Sequence, residues 1–449
     1  MAAPARFGKY DLLALLATGG MAEIWLARIS GEAGFEKLVV IKRLLDQLAL
    51  DAEFVEMFLD EARINARLQH SNIVQVMELG QVEGRYFMAM EYVPGLSVAQ
   101  LGKRATKLLG DVPLEVAGGI VMQACVGLHY AHEKTLPDGK PLDIIHRDVS
   151  PQNLICTFEG LVKVLDFGIA KASERVSQTR TGMVKGKFSY MSPEQCLGAP
   201  LDRRSDVFTL GIVLFELATS RRLFKRASTY DTYLAITQAD VPSPSAVNYK
   251  IAPALEAVIV KALQRRPEDR YASCDEMHEA LDHALRTLGL HASPTDLGKF
   301  MEATFADEQD EQQRLVGQAQ RGELDVSDAH ARAVSPVAAA AALESQANYT
   351  VDDSRTSVDL LPALADESHR TVLAEESDLE QSWDSQHDIK TRAMPPPQQV
   401  PQSHSAVTEP RGLPVIEDVP NAGPKPTIYY AFGTAGILLL VLIVWLIAR

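Results

Sequence analysis

The sequence has few of the features that would mark it as a disulfide scaffold, a metal-binding module, a nucleic-acid binder or a secreted chain. Its four cysteines, Cys125, Cys156, Cys196 and Cys274, stand far apart, with no C-x-x-C pair and no histidine cluster at metal-ligand spacing. They read as buried thiols of a reducing cytosol. No Lys/Arg-rich stripe is present, which excludes nucleic acid as a partner, because phosphate neutralisation needs a basic face. The formal charge is -15, yet residues 1–290 carry 33 Lys/Arg against 35 Asp/Glu and the remainder 11 against 24. The acidity therefore belongs to the last third of the chain, as a solvated spacer. Near the N-terminus the only apolar run after Met1–Tyr10 is Leu12–Ala17, too short for a signal sequence, so the N-terminal part is expected in the cytoplasm.

What is present is a chain of 449 residues, enough for roughly two or three domains. Residues 10 to 120 alternate short β-like runs, Glu23–Ala27, Leu38–Lys42, Ile73–Leu79 and Tyr86–Glu91, with one helical stretch over Glu53–Leu68. This predicts a small sheet-rich lobe. From Leu114 the pattern turns helical, interrupted over Asp143–Gly168, where Leu154–Cys156 and Val162–Leu165 are short apolar runs. A larger helical lobe is implied, so the fold class is α+β with two lobes over residues 10–290. A helical extension follows over 291–317, capped by Ser293 with Pro294 in its first turn and Asp296 completing a capping box. Residues 318–427 shift to Ala, Ser, Thr, Gln, Pro and acid without periodicity and read as a disordered linker. Ile428–Ala448 is an uncharged run of 21 residues, about 31 Å as a helix, and reads as a transmembrane helix. With only Arg449 beyond it, no external sensor domain is expected.

The most specific signal is His146-Arg147-Asp148-Val149-Ser150-Pro151-Gln152-Asn153 followed by Asp166-Phe167-Gly168. It resembles the catalytic loop and metal-binding motif of protein kinases, in particular the bacterial Hanks-type Ser/Thr kinases. Moving a γ-phosphoryl group requires a carboxylate at the acceptor hydroxyl and oxygen ligands that hold a divalent cation against the triphosphate. The resemblance implies Asp148 for the first role and Asn153 and Asp166 as ligands of Mg²⁺ or Mn²⁺, with ATP as phosphoryl donor. Val39-Val40-Ile41-Lys42 resembles the strand that supplies the phosphate-binding lysine. Glu61, 19 residues on, is then its ion-pair partner in preference to Asp60.

Where the family has a Gly-rich loop, this chain reads Ala17-Thr18-Gly19-Gly20-Met21-Ala22-Glu23-Ile24, in which only Gly19 matches a motif glycine. Gly19 and Gly20 can let backbone N–H groups approach phosphate. Tyr86–Gly95 resembles the strand entering the inter-lobe hinge, with Met90 as gatekeeper and Glu91–Val93 facing adenine. Ser192-Pro193-Glu194 stands where the family has Ala-Pro-Glu, and the resemblance pairs Glu194 with Arg270. Asp206 is expected to accept backbone hydrogen bonds behind the catalytic loop. Thr179 and Thr181 fall in the segment where the family carries activating phosphate, with Arg147 and Lys171 as its partners.

One departure stands out: the family places Lys two residues after the catalytic Asp, and here that residue is Ser150. Lys187, in Gly186-Lys187-Phe188, is expected to restore the missing charge, with Lys185 as the runner-up. The resemblance implies a membrane-tethered Ser/Thr kinase at the inner membrane, its catalytic part cytoplasmic, acting on proteins including other copies of itself. Two alternatives remain open at this point: a pseudokinase scaffold, favoured by the depleted Gly loop and Ser150, and a small-molecule kinase.

Overall fold

The computed structural model describes residues 5–167, 188–238 and 241–323. Strands β1 (Ala5–Phe7), β2 (Tyr10–Thr18), β3 (Ala22–Ser30), β4 (Glu36–Leu44), β5 (Val76–Val82) and β6 (Arg85–Glu91) form an antiparallel sheet in the order β1-β2-β3-β4-β6-β5. Val39, Val40 and Ile41 are successive residues of β4, and all three are buried. Val40 joins a cluster with Phe58 and Ala62 of helix α1 (Ala52–Asn65), whereas Val39 and Ile41 join Phe7, Tyr10 and Phe87 on the other face. That two-sided burial explains why this strand is a continuous apolar run rather than an alternating one.

Three sequence expectations between residues 53 and 109 shift. The strand expected from Ile73 begins at Val76, because Ile73 and Val74 cross to the other lobe, where the Val74 N–H donates to the Val164 carbonyl at 3.0 Å. The helix expected to reach Leu68 stops at Asn65, whose side-chain amide turns back onto the Glu61 carbonyl at 2.9 Å. A second helix, α2 (Val98–Leu109), was not expected; it starts on a capping box between Ser97 and Gln100.

The larger lobe carries a three-stranded sheet, β7 (Gly95–Ser97), β8 (Leu154–Thr157) and β9 (Val162–Val164), facing the cleft. Gly95 is required there: its φ is 153°, and a Cβ would stand 2.2 Å from the Cys156 carbonyl oxygen. Helices α3 (Leu114–His132), α4 (Pro193–Leu197), α5 (Arg204–Thr219), α6 (Thr229–Thr237), α7 (Pro244–Val247), α8 (Pro253–Ala262) and α9 (Cys274–Thr287) complete the lobe. By length and composition α3 could cross a membrane, but its Ala117, Ile120, Val121 and Ala124 are core residues. Helix α5 is buried along Ser205–Thr219, which makes it a fixed support for whatever rests on its first turn.

Helix α10 spans Pro294–Gln320, with the Ser293 hydroxyl accepting the Asp296 N–H at 3.2 Å, and so runs three residues into the linker expected from 318. The rest of that linker from 324 and the run Ile428–Ala448 lie outside the described residues. Leu297, Met301 and Phe305 of α10 belong to the large-lobe core, whereas Leu315 and Ala319 belong to the small-lobe core. Each large apolar side chain buried this way stabilises the docking by roughly 1.5–3 kcal/mol. One helix thus spans both lobes.

Candidate active site

The catalytic-loop residues hang on one buried carboxylate. Asp206, in the first turn of α5, accepts the backbone N–H of His146 at 2.8 Å and of Arg147 at 3.0 Å, and lies 2.8 Å from His132 Nε2. Arg147 has a φ of 67°, a left-handed conformation that a side chain rarely adopts, held by these two bonds. Burial alone would raise the Asp206 carboxyl; the hydrogen bond and charge of His132 overcome this and hold it below the usual carboxylate range. Burial opposes charge on His132 too, yet its contacts with Asp206 first and Cys274 second push it up to about 10. His146 behaves oppositely: full burial lowers it and keeps the ring neutral. Its Nε2 donates to the Leu165 carbonyl at 2.8 Å, and its Nδ1 accepts the Asp148 N–H at 3.2 Å.

Asp148 is oriented by Asn153, whose amide nitrogen donates to both the Asp148 carbonyl and its Oδ2, each at 2.8 Å. The Asn153 amide oxygen is thereby left as the group able to meet a cation. Across the cleft, Lys42 Nζ sits 2.7 Å from Glu61 Oε1 and 3.3 Å from Asp166 Oδ2. Strand register sets the lysine, opposite Ile24 on β3 and Met88 on β6, and α1 sets the glutamate. Asp60 instead pairs with Arg63 at the surface. Asp166 has a φ of 42°, and Phe167 beside it is buried against the His146 ring, with centroids 4.6 Å apart. The carboxylate of Asp166 and the amide oxygen of Asn153 form an all-oxygen donor set that fits Mg²⁺, which keeps waters and phosphate oxygens for its other positions.

Around this polar line, Ile24, Val40, Met90 and Val93 are buried on one side of the cleft, and the Glu91 carboxylate receives Lys163 Nζ at 2.8 Å and the Gln75 N–H at 2.8 Å. The loop expected to cover phosphate is a tight hairpin: the Gly19 N–H donates to the Ala22 carbonyl at 2.7 Å and is thereby taken, with Ala17 buried and Thr18 exposed at the end of β2. Gly20 and Met21 form its tip. Glu194 meets Arg270 in a buried two-point ion pair of 2.7 and 2.8 Å, and the Ser205 hydroxyl donates to the same carboxylate at 2.7 Å. Ser150 is buried. Gly168, Lys171, Thr179, Thr181, Lys185 and Lys187 lie outside the described residues.

Some supporting residues are not visible from motif spacing. His132, on α3, comes from 14 positions before the loop it stabilises, and the Gln195 side chain donates to the Arg147 carbonyl at 2.8 Å. Asn65 lies one helical turn after Glu61 and offers its Oδ1 to the Phe167 N–H at 3.5 Å.

Chemically, the site combines a carboxylate able to accept a hydroxyl proton, an oxygen set for a divalent cation, and an ammonium held for anionic oxygens. The protein kinase domain family matches residues 10–285. Among curated relatives, the chain is 45% identical over 302 residues to the tyrosine-protein kinase MasK of Myxococcus xanthus, covering 67% of this chain and 47% of that protein. It is 34% identical over 270 residues to the serine/threonine-protein kinase PrkC of Bacillus subtilis, covering 60% of this chain and 39% of PrkC. To the serine/threonine-protein kinase PksC of Streptomyces coelicolor it is 36% identical over 278 residues, covering 61% and 48%. The matches thus span about half the length of these relatives or less. A family match over most of the chain, together with a Lys42–Glu61–Asp166 line facing the Asp148–Asn153 pair, shows that the chain belongs to the protein kinase domain family.

Proposed function

We propose that the chain is an ATP-dependent protein kinase that transfers the γ-phosphoryl group to serine and threonine hydroxyls of proteins, including other copies of itself. The observation that carries this reading is the Lys42 ammonium held between Glu61 and Asp166, opposite an Asp148 oriented by Asn153. In this reading Lys42 binds the α and β phosphates, and Asp148 accepts the proton of the attacking hydroxyl. Asn153 and Asp166 would hold Mg²⁺ or Mn²⁺, which neutralises charge on the β and γ phosphate oxygens when bound. Ile24, Val40, Met90 and Val93 would enclose the base, with Glu91–Val93 as its backbone partners. The chain carries Lys42, Asp148, Asn153 and Asp166 together, which weighs against a pseudokinase scaffold.

A second reading, tyrosine as acceptor, has one observation in its favour: the 45% identical relative is named a tyrosine-protein kinase. Three finer assignments belong to the proposal. Thr179 and Thr181 are activating phosphorylation sites, Lys187 supplies the charge missing at Ser150, and Ile428–Ala448 anchors the chain in the inner membrane with its kinase domain in the cytoplasm. One experiment tests the core and the acceptor together. Full-length chain, with Asp166→Ala and Lys42→Met controls, is incubated with ATP and Mg²⁺, and the phosphorylated residues are mapped by mass spectrometry. The expectation is transfer to Ser and Thr, with phosphate on Thr179 or Thr181, and a loss of at least about 100-fold in both controls. Transfer that survives Asp166→Ala refutes the site assignment, and phosphate confined to Tyr establishes the second reading.

A further inference from the structure

Helix α10 begins beyond the segment that matches the kinase family, and its last turns pack into the small-lobe cluster that also holds Ile155 and Leu165 of the large lobe. The kinase reading sets Ile24, Val40, Met90, Val93 and Leu165 around the nucleotide base, and a cleft open to that base would leave them accessible. Each is at most 2% exposed. The same cluster includes Leu315, at 0%, and Ala319, at 1%, from the last turns of α10. Between them and the large lobe, the Gln312 amide pairs with one hinge residue through both of its polar atoms. Its Oε1 accepts the Gly95 N–H at 3.0 Å, and its Nε2 donates to the Gly95 carbonyl at 3.3 Å. A donor and an acceptor side by side on a planar group, set against hinge backbone, is the pairing an adenine edge would make two to four residues earlier in the same segment.

We propose that residues 308–320 of α10 are an autoinhibitory plug that competes with the nucleotide base for the inter-lobe cleft; the proposal rests on the kinase reading above. The helix is built to be released at this end and retained at the other. Leu297, Met301 and Phe305 fix its first half in the large-lobe core, and its start is locked by backbone contact with the β8–β9 turn. Helical geometry breaks at Phe305, with φ -128° and ψ 28°, where the anchored half ends. Beyond it the buried face is narrow: Gln312, Leu315 and Ala319 are buried, with Glu308 paired to Arg104 at 3.0 Å on the rim. Gln309, Asp310, Glu311, Gln313 and Arg314 are polar, so the distal half can leave the cleft without exposing a second apolar face. Opening therefore exchanges Leu315, Ala319, the half-buried Val316 and one amide for a nucleotide.

A plug seated about 90% of the time weakens apparent nucleotide affinity about tenfold, because affinity scales with the fraction of open molecules. The test is calorimetric titration of the full-length chain with a non-hydrolysable ATP analogue and Mg²⁺, comparing wild type with a Gln312→Ala/Leu315→Asp variant. Binding at least about tenfold tighter in the variant is expected. Equal or weaker binding, with phosphoryl transfer intact, overturns the plug and leaves the kinase reading standing. Should the double variant fail to fold, hydrogen exchange of the wild-type chain decides. Saturating analogue is expected to speed exchange in residues 308–320, and slowed exchange there would make the helix a wall of the nucleotide site and overturn the proposal. An analogue that binds neither form overturns the nucleotide site and the plug together.

Discussion

Asp206 and His132 show how one buried pair holds a catalytic loop from behind. Removing one partner of a buried ion pair leaves an uncompensated charge and costs about 3–5 kcal/mol. The pH dependence follows from the directions of the two shifts. His132 is raised in the fold, so its contribution is fully present below its unfolded value near 6.5 and is lost as pH rises through about 10. Asp206 is lowered, so its contribution is present above its unfolded value and is lost only as pH falls through its folded one. In urea titrations His132→Gln is expected to cost about 3 kcal/mol near pH 6, a deficit that shrinks toward pH 10. A constant deficit across that range would mean that His132 acts by packing alone. The Ser150 departure also belongs to this scale. Lys187→Met is expected to lower kcat about 100-fold with little change in nucleotide affinity, and Ser150→Lys to rescue it. A near-normal kcat in Lys187→Met would remove the lysine from the site. The candidate catalytic residues are readable in sequence because His146–Asn153 and Asp166–Phe167 lie in contiguous motif stretches. Their supports are not: His132 and Gln195 reach the loop only through the packing of α3 and α4.

At the scale of elements, the docking of α10 depends on two glycines that touch backbone to backbone. A Cβ on Gly160, whose φ is 84°, would lie 2.1 Å from the Pro294 carbonyl oxygen and 2.2 Å from the Gly298 nitrogen. Gly160→Ala is therefore expected to destabilise the protein by about 1–3 kcal/mol and to raise hydrogen exchange across 294–305. Unchanged exchange in that stretch would show that the turn and helix can move apart at no cost. Among the six small-lobe strands, β1 and the nine-residue β2 were not expected, whereas the four from β3 to β6 are readable from their apolar runs. Helix α2 is not, because its buried residues Val98, Leu101, Gly102 and Ala105 are partly small and its clearest mark is the Ser97–Gln100 cap. Nor is the seat of α10: Gln312 and Gly95 are separated by 217 positions, and no local periodicity carries a contact of that kind.

Taken as a whole molecule, the proposed anchor sets where the kinase works. In that proposal, the 104 residues from 324 to 427, taken as the linker expected from sequence, would allow a reach of roughly 50–60 Å from the membrane. Confinement to that layer would raise the encounter rate between copies. Deleting Ile428–Arg449 is expected to move the protein to the soluble fraction and to lower autophosphorylation in cells. A truncated chain that still sediments with membranes would place the anchor elsewhere.

The 217-residue span between Gly95 and Gln312 also has a consequence for biosynthesis. Both lobes can be assembled once residue 285 has left the ribosome, but the contact at Gly95 has to wait for the end of α10. At about 5–20 residues per second, the 34 or so residues still to emerge take roughly 2–7 s. For those seconds every nascent chain presents its cleft without a competing helix, and a nucleotide captured then would be inherited by the finished molecule.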